Sequence, residues 1–187
     1  MPHRRSSLLL DEKRSALMVI DLQEKLYPVI PEASKIEREI IRLTDAATLL
    51  SIPAAATVQY PRGLGALVPS VQSVFPAPEH KLVFSAAVCR QALDAWLKQG
   101  RDQIVICGIE THICILQTVL DLLAEGLRPF VAVQAVGSRH RTDHEMALQR
   151  MRDCGATLIG VESILFEWLQ TAQRSEFKAI SQLVKSS

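Results

Sequence analysis

Three side chains in this sequence have chemistry that a packed core does not need: Asp21, Lys81 and Cys114. Together they would supply a base, a cation and a nucleophile, the set that acyl transfer through a thioester requires. Cys114 carries most of the information. It lies in "QIVICGIETHICILQT" (103–118), where an apolar run ends at a glycine, a short polar turn follows, and the cysteine stands just inside the next segment. With Thr111 as N-cap, the threonine hydroxyl would accept from the Cys114 N–H. The thiol would then occupy the first helical turn, where free N–H groups and the helix dipole favour a thiolate. That dipole contributes about 0.3–1 kcal/mol, so from a free-thiol pKa of ~8.5 it gives only partial ionisation. A neighbouring cation is needed as well, and Lys81 is the candidate.

Each of these residues has an ordinary alternative. A cysteine is most often a small buried hydrophobe, and Cys107 (strand interior), Cys89 (helix start) and Cys154 (helix end) are read that way. Asp21 could cap the turn after its strand, and Lys81 could be a surface lysine. What singles out the three is their place on the elements that must hold them.

Short apolar runs alternate with segments of helical period. "ALMVID" (16–21), "AAATVQY" (54–60), "KLVFSA" (81–86), "QIVICG" (103–108), "PFVAVQAV" (129–136) and "ATLIG" (156–160) read as strands. Between them a helix is expected from Ser34, where Ser34-x-x-Glu37 is a capping-box pattern and Ile36, Ile40, Ile41 and Leu43 share a face. Further helices follow in "RQALDAWLKQG", ended by Gly100, in "THICILQTVLDLLAEG", ended by Gly126, and from a Thr142-x-x-Glu145 cap to Cys154. The tail reads as two helices, one with Phe177, Ile180, Leu183 and Val184 on a single face. Continuously apolar strands alternating with helices predict an α/β fold: a three-layer, six-stranded parallel sheet covered on both sides. In such a sheet ligands bind beyond the carboxyl ends of the strands. Asp21 and Cys114 fall there, whereas Lys81 opens its strand and would need a loop to bring it back. Residues 60–80, rich in Pro and Gly, read as one aperiodic functional loop.

At 187 residues and 48% hydrophobic, the chain can bury one sizeable core, and a single domain over 1–187 is expected. Twenty-one basic and twenty acidic residues leave a net charge of +1, which gives no footprint for nucleic acid or an anionic membrane. "HRR" (3–5) and "RHR" (139–141) read as solvated loop charges. No apolar run reaches a membrane span, and the leucines of "SSLLLDEKR" are too few for a signal peptide, so a cytoplasmic, reducing setting is expected. Four cysteines without C-x-x-C spacing indicate neither disulfides nor a zinc knuckle. His140 and His144 are separated by a helix start, and "HEMAL" lacks the second histidine of H-E-x-x-H, so no metal and no cofactor are expected.

"VIDLQ" (19–23), "HKLVFSA" (80–86) and "VICGIETHIC" (105–114) resemble, in order and spacing, the motifs of the isochorismatase-like cysteine hydrolases. "QYPRGLG" (59–65) and the "LQT-LDLL" continuation look closest to the isochorismatase domain-containing subgroup. The resemblance implies a Rossmann-like sheet, a catalytic triad of Asp21, Lys81 and Cys114, and a homo-oligomeric assembly acting on a small molecule. It also implies a non-proline cis peptide at Ile109–Glu110, with the backbone N–H groups of Glu110 and Cys114 forming an oxyanion hole. The loop after the second strand lacks the histidines of metal-dependent nicotinamidases in that family, and Gln23, Gln59 and Tyr60 are expected to face the substrate pocket instead. The reaction so implied is cleavage of a small amide or related C–N bond. Alternatives are a non-catalytic scaffold of the same fold, isochorismate-type vinyl-ether hydrolysis, and thiol redox sensing.

Overall fold

The computed structural model describes residues 4–185. Six parallel strands form one sheet in the order β3-β2-β1-β4-β5-β6. They are β1 (Ser15–Ile20), β2 (Ala54–Gln59), β3 (Glu79–Lys81), β4 (Gln103–Ile109), β5 (Arg128–Gly137) and β6 (Thr157–Ile159). The helices are α1 (Ala33–Leu49), α2 (Pro61–Leu64), α3 (Pro69–Val74), α4 (Arg90–Lys98), α5 (Leu116–Ala124), α6 (Arg141–Asp153), α7 (Val161–Leu169) and α8 (Phe177–Lys185).

The unbroken apolar strands have a direct cause. β1 sends Leu17 and Val19 into one hydrophobic cluster, beneath α1, α7 and α8. It sends Ala16, Met18 and Ile20 into the other, beneath α4, α5 and α6. β4 divides its side chains in the same way, with Val105 and Cys107 on one face and Ile104 and Ile106 on the other. Period-two alternation with both faces covered leaves no polar positions. Each fully buried aliphatic side chain contributes about 1.5–3 kcal/mol of transfer free energy. α1 turns Ile36, Ile40, Leu43 and Ala47 to the sheet, a stripe at helical spacing.

The chain winds outward from β1 to β3, returns to the middle with β4, and winds the other way to β6. Strand order therefore reverses between β1 and β4. The crevice above that pair is where an open parallel sheet places a ligand.

Several expectations are corrected. Neither Ser34 nor Thr142 is a cap: both lie inside their helices, and the N-cap positions are Glu32 and His140, without side-chain capping bonds. Glu37 instead accepts from the hydroxyls of Tyr27 and Ser70, which tie α1 to the segments on either side of β2. Residues 60–80 are not one aperiodic loop but hold α2, α3 and most of β3. Of the tail residues expected on one face, Ile180 is buried and Leu183 and Val184 pack against the core, while Phe177 stays partly exposed. His3 of "HRR" lies outside the described residues; Arg5 is not a free charge, since it donates to the carbonyls of Leu10 and Glu167.

Candidate active site

β3 ends at Lys81 instead of beginning there. The apolar Leu82, Val83 and Phe84 that follow turn outward, and the strand is the polar Glu79-His80-Lys81, held at the sheet edge by pairing with Thr57, Val58 and Gln59 of β2. This shift removes the difficulty in the sequence reading. Lys81 now lies at a carboxyl end, as do Asp21 after β1 and the turn after β4, without any loop reaching back.

The Lys81 ammonium is fully enclosed and has three acceptors: Asp21 Oδ2 at 2.6 Å, Gln59 Oε1 at 2.8 Å and the Phe84 carbonyl at 2.8 Å. Three donors on a lysine are thereby matched. The second oxygen of Asp21 accepts from the Thr57 hydroxyl at 2.8 Å. Asp21 itself has a left-handed backbone, φ 54°, which turns the chain sharply out of β1. Beside it, Gly108 of β4 pairs with Ile20 and has φ 122°; a Cβ there would stand 1.9 Å from the Ile20 carbonyl oxygen. Only glycine lets the two strand ends approach this closely.

Cys114 sits in a π-helical turn, Thr111–Ile115, that precedes α5. Its wide ring is closed by the Ile115 N–H donating to the Glu110 carbonyl at 3.2 Å. The expected Thr111 cap is absent: the Thr111 hydroxyl pairs with His144 Nδ1 of α6 at 2.9 Å, and Glu110 occupies the N-cap position. The Ile109–Glu110 peptide is cis. Thr118 links this turn to the Lys81 loop, accepting from the Ala86 N–H at 2.7 Å and donating to the Cys114 carbonyl at 2.6 Å.

The thiol is not a poised thiolate. Burial pushes the Cys114 pKa up to about 12, and the negative charge of Asp21 adds to the rise, while Lys81 opposes both. At neutral pH the group is S–H, with a carboxylate and an ammonium acting on it by charge and hydrogen bonding. The structure thus brings the three singled-out residues together, with burial and Asp21 acting against ionisation of the thiol and Lys81 favouring it. Cys89 is likewise raised, to about 11, mainly by burial, and Cys107 is raised further by burial alone.

The two glutamines expected at the pocket are engaged in hydrogen bonds within the protein. Gln23 is fully buried: its Oε1 accepts from the Gln59 N–H at 2.9 Å, and its Nε2 donates to the carbonyls of Gln59 at 3.0 Å and Gly65 at 2.7 Å. It clamps the loop before α3 to the end of β2. Gln59 bridges Lys81 and the Leu82 carbonyl, so it orients the cation. Tyr60 is half exposed, with φ 39° and its ring over Gly63. Sequence reading missed Thr57, Thr118 and Arg139. Thr57 could have been noticed as a hydroxyl inside the apolar run "AAATVQ". Arg139, read as a solvated charge, in fact pairs with the buried Glu110 carboxylate at 2.9 Å.

Among the described residues no group of three His, Cys, Asp or Glu side chains could hold a metal ion. A groove of about 640 Å³ opens beside the site, between the start of α1 and the end of β5, lined by Lys35, Arg38, Gln134, Ser138, Arg141 and His144. Asp21, Lys81 and Cys114 are not among its lining residues, and all three are buried.

An open parallel sheet with a carboxylate, an ammonium and a thiol at its topological switch point defines an α/β protein of hydrolase type. Residues 15–163 match the Isochorismatase domain, and the chain belongs to the isochorismatase family. Mouse isochorismatase domain-containing protein 2A is 40% identical over 175 residues, covering 91% of this chain and 82% of that one. A protein of Phytophthora sojae described as a secreted isochorismatase effector is 36% identical, covering 91% and 84%. Among solved structures, the MAR1 ribonuclease of Caenorhabditis elegans superposes with a TM-score of 0.89 at 36% identity, covering 96% and 93%. The YcaC gene product of Escherichia coli, described as an octameric hydrolase of unknown specificity, shares the fold with a TM-score of 0.85 at 24% identity, covering 96% and 91%. No helix among the described residues is long and apolar enough to cross a membrane.

Proposed function

We propose that this chain is a cysteine-dependent hydrolase that cleaves a small amide or related C–N bond through a thioester. The observation that carries the reading is the enclosed Asp21–Lys81 pair acting on the protonated thiol of Cys114. A neutral thiol is a poor nucleophile, so it needs a base that takes its proton as the bond to carbon forms. Asp21 is that base. As Sγ attacks the acyl carbon, the thiol proton passes to the Asp21 carboxylate and the carbonyl oxygen becomes an oxyanion. The backbone N–H groups of Glu110 and Cys114 donate to that oxyanion. Collapse breaks the C–N bond, and the leaving nitrogen takes the proton from Asp21. Water, deprotonated by Asp21, then attacks the thioester, releasing the acid and restoring the thiol. Lys81 holds the Asp21 carboxylate in place at 2.6 Å and offsets negative charge as it develops on sulfur.

The substrate is a small molecule, because the triad is enclosed. Association into a homo-oligomer is part of the same reading; the adjoining Leu82, Val83 and Phe84 are exposed apolar side chains at the edge of the site. Light scattering in solution tests that association. The chemistry is tested by screening small amides, a vinyl ether of isochorismate type and RNA oligonucleotides against wild type and Cys114→Ala. Thiol-dependent release of an amine supports the proposal. Thiol-independent vinyl-ether or RNA cleavage, or no turnover at all, overturns it.

A further inference from the structure

The turn that carries Cys114 is anchored at three consecutive residues to the loop between β5 and α6 and to the first turns of α6. The His112 ring nitrogen Nδ1 lies 2.9 Å from the Ser138 hydroxyl, which also accepts from the His112 N–H at 3.4 Å. The Thr111 hydroxyl meets His144 Nδ1. The third anchor differs in kind. Both oxygens of the Glu110 carboxylate are held by Arg139: Oε2 accepts from the backbone N–H at 3.0 Å and from Nε at 3.2 Å, and Oε1 accepts from Nη2 at 2.9 Å.

Glu110 has almost no contact with solvent, at 4% exposure of its side chain, whereas Arg139 approaches from the surface at 47%. Burial raises the Glu110 carboxyl, but the hydrogen bonds and charge of Arg139 outweigh it, and the group ends below the usual carboxylate range. A guanidinium fork on a carboxylate fixes direction as well as distance. The residue so fixed begins the turn: its carbonyl closes the ring that contains Cys114, and its N–H belongs to the peptide that would face a developing oxyanion.

We propose that Arg139 is a positioning residue for acyl transfer at Cys114: through Glu110 it sets the orientation of the backbone donors that stabilise the oxyanion. This rests on the thioester reading above. It extends the active site to the loop between β5 and α6. Oxyanion donors act only when pre-aligned, and a displacement of about 1 Å can cost 10²-fold.

Two probes separate this role from simple support of the fold. p-Nitrophenyl acetate acetylates a thiol through an oxyanion: the S–C bond forms, the bond to p-nitrophenolate breaks, and the thiol proton passes to Asp21. Iodoacetamide alkylates by direct displacement of iodide at a saturated carbon, with no oxyanion. Both are followed at Cys114 by peptide mapping, in a Cys154→Ser background so that the exposed thiol does not consume reagent. Arg139→Gln is expected to slow acetylation about 10- to 100-fold, less than the roughly 10²–10³-fold lost when an oxyanion donor itself is removed, and to leave alkylation within about twofold. Arg139→Lys, which keeps the charge without the fork, should recover only part of the loss. Glu110→Gln should show the same asymmetry.

Equal slowing by both reagents would mean that Arg139 merely supports the turn, and no slowing of either would mean that it does nothing; each overturns the proposal. If wild-type Cys114 is alkylated but never acetylated, the thioester reading itself fails and this inference falls with it.

Discussion

Asp21 and Lys81 meet at 2.6 Å although 60 residues separate them in sequence, and neither side chain reaches solvent. The two are unequally supported. Lys81 has two further acceptors, Gln59 and Phe84, whereas Asp21 is held by the Thr57 hydroxyl and acts on the Cys114 thiol. Removing one partner of a buried pair leaves the other uncompensated, at about 3–5 kcal/mol. Lys81→Met should therefore approach that loss, while Asp21→Asn, which leaves the ammonium among neutral acceptors, should lose less. Both should slow acetylation of Cys114 by roughly 10²–10⁴-fold, the contribution of a placed acid–base group. Urea denaturation beside p-nitrophenyl acetate kinetics makes the comparison. A less stable Asp21→Asn would show that the carboxylate, not the ammonium, holds the cluster together.

Thiol reactivity should follow exposure and protonation, not the helix end. Cys154 is the one exposed cysteine among the described residues, while Cys114 is enclosed with a pKa pushed up to about 12. Limiting iodoacetamide at neutral pH should label Cys154 first, and Cys114 only slowly. Because Asp21 raises the Cys114 pKa and Lys81 lowers it, Asp21→Asn should quicken Cys114 alkylation and Lys81→Met should slow it, although both lose acyl transfer. Peptide mapping against pH reads this. Preferential labelling of Cys114 in the wild type would restore the poised thiolate.

Which elements were legible in the sequence follows from how far their causes reach. β1, β2, β4 and β5 were placed within a residue or two, because a strand covered on both faces must be apolar throughout. β3 was misplaced, because "LVF" is the most strand-like run nearby, yet Leu82, Val83 and Phe84 are 75%, 54% and 50% exposed. The real edge strand is polar and only three residues long, and composition cannot rank an edge strand against an exposed loop. Two of the three failed capping patterns lost a side chain to partners elsewhere, and in the third Glu145 pairs with Arg141 of its own helix. Thr111 is taken by His144, and Glu37, the second half of the Ser34 pattern, by Tyr27 and Ser70. For the thiol, the local rule counts N–H groups and omits burial and Asp21, both of which raise its pKa.

Gly108 should tolerate no side chain. Its φ of 122° disfavours any L residue, and a Cβ would collide with the Ile20 carbonyl, the residue that leads into Asp21. Gly126 also has positive φ, 79°, but open space around it. Gly126→Ala should lose about 1–2 kcal/mol from the left-handed backbone alone. Gly108→Ala should lose more than that, of the order of 4 kcal/mol or above, with acetylation of Cys114 reduced as Asp21 shifts. Chemical denaturation of the two variants side by side decides it. Equal losses would mean that the contact between β1 and β4 relaxes without consequence.

Alkaline pH should weaken the fold through its buried thiols. Cys89 and Cys114 have pKa values pushed up to about 11 and about 12, and Cys107 is raised further, with burial the largest cause in each. In the unfolded chain a cysteine releases its proton near pH ~8.5. Above that pH the native state binds more protons than the unfolded one, so stability falls as pH rises, by roughly 1 kcal/mol per pH unit for each thiol. The loss begins near the unfolded pKa and continues until each folded group titrates, toward about 11 for Cys89 and about 12 for Cys114. Cys107 is the cleanest probe, since burial alone raises it and it lies within β4, away from the charges around Cys114. Cys107→Ala should be somewhat less stable near pH 7.5, where the lost sulfur leaves a small cavity. Between about pH 8.5 and 10 its stability should then decline less steeply than that of the wild type, by about one proton's worth of slope. Lysines and tyrosines titrate in both proteins and cancel in the difference. Urea midpoints at half-unit pH steps give the two slopes. Parallel lines would show that Cys107 ionises as freely in the folded protein as in the unfolded chain, contrary to its burial in the sheet.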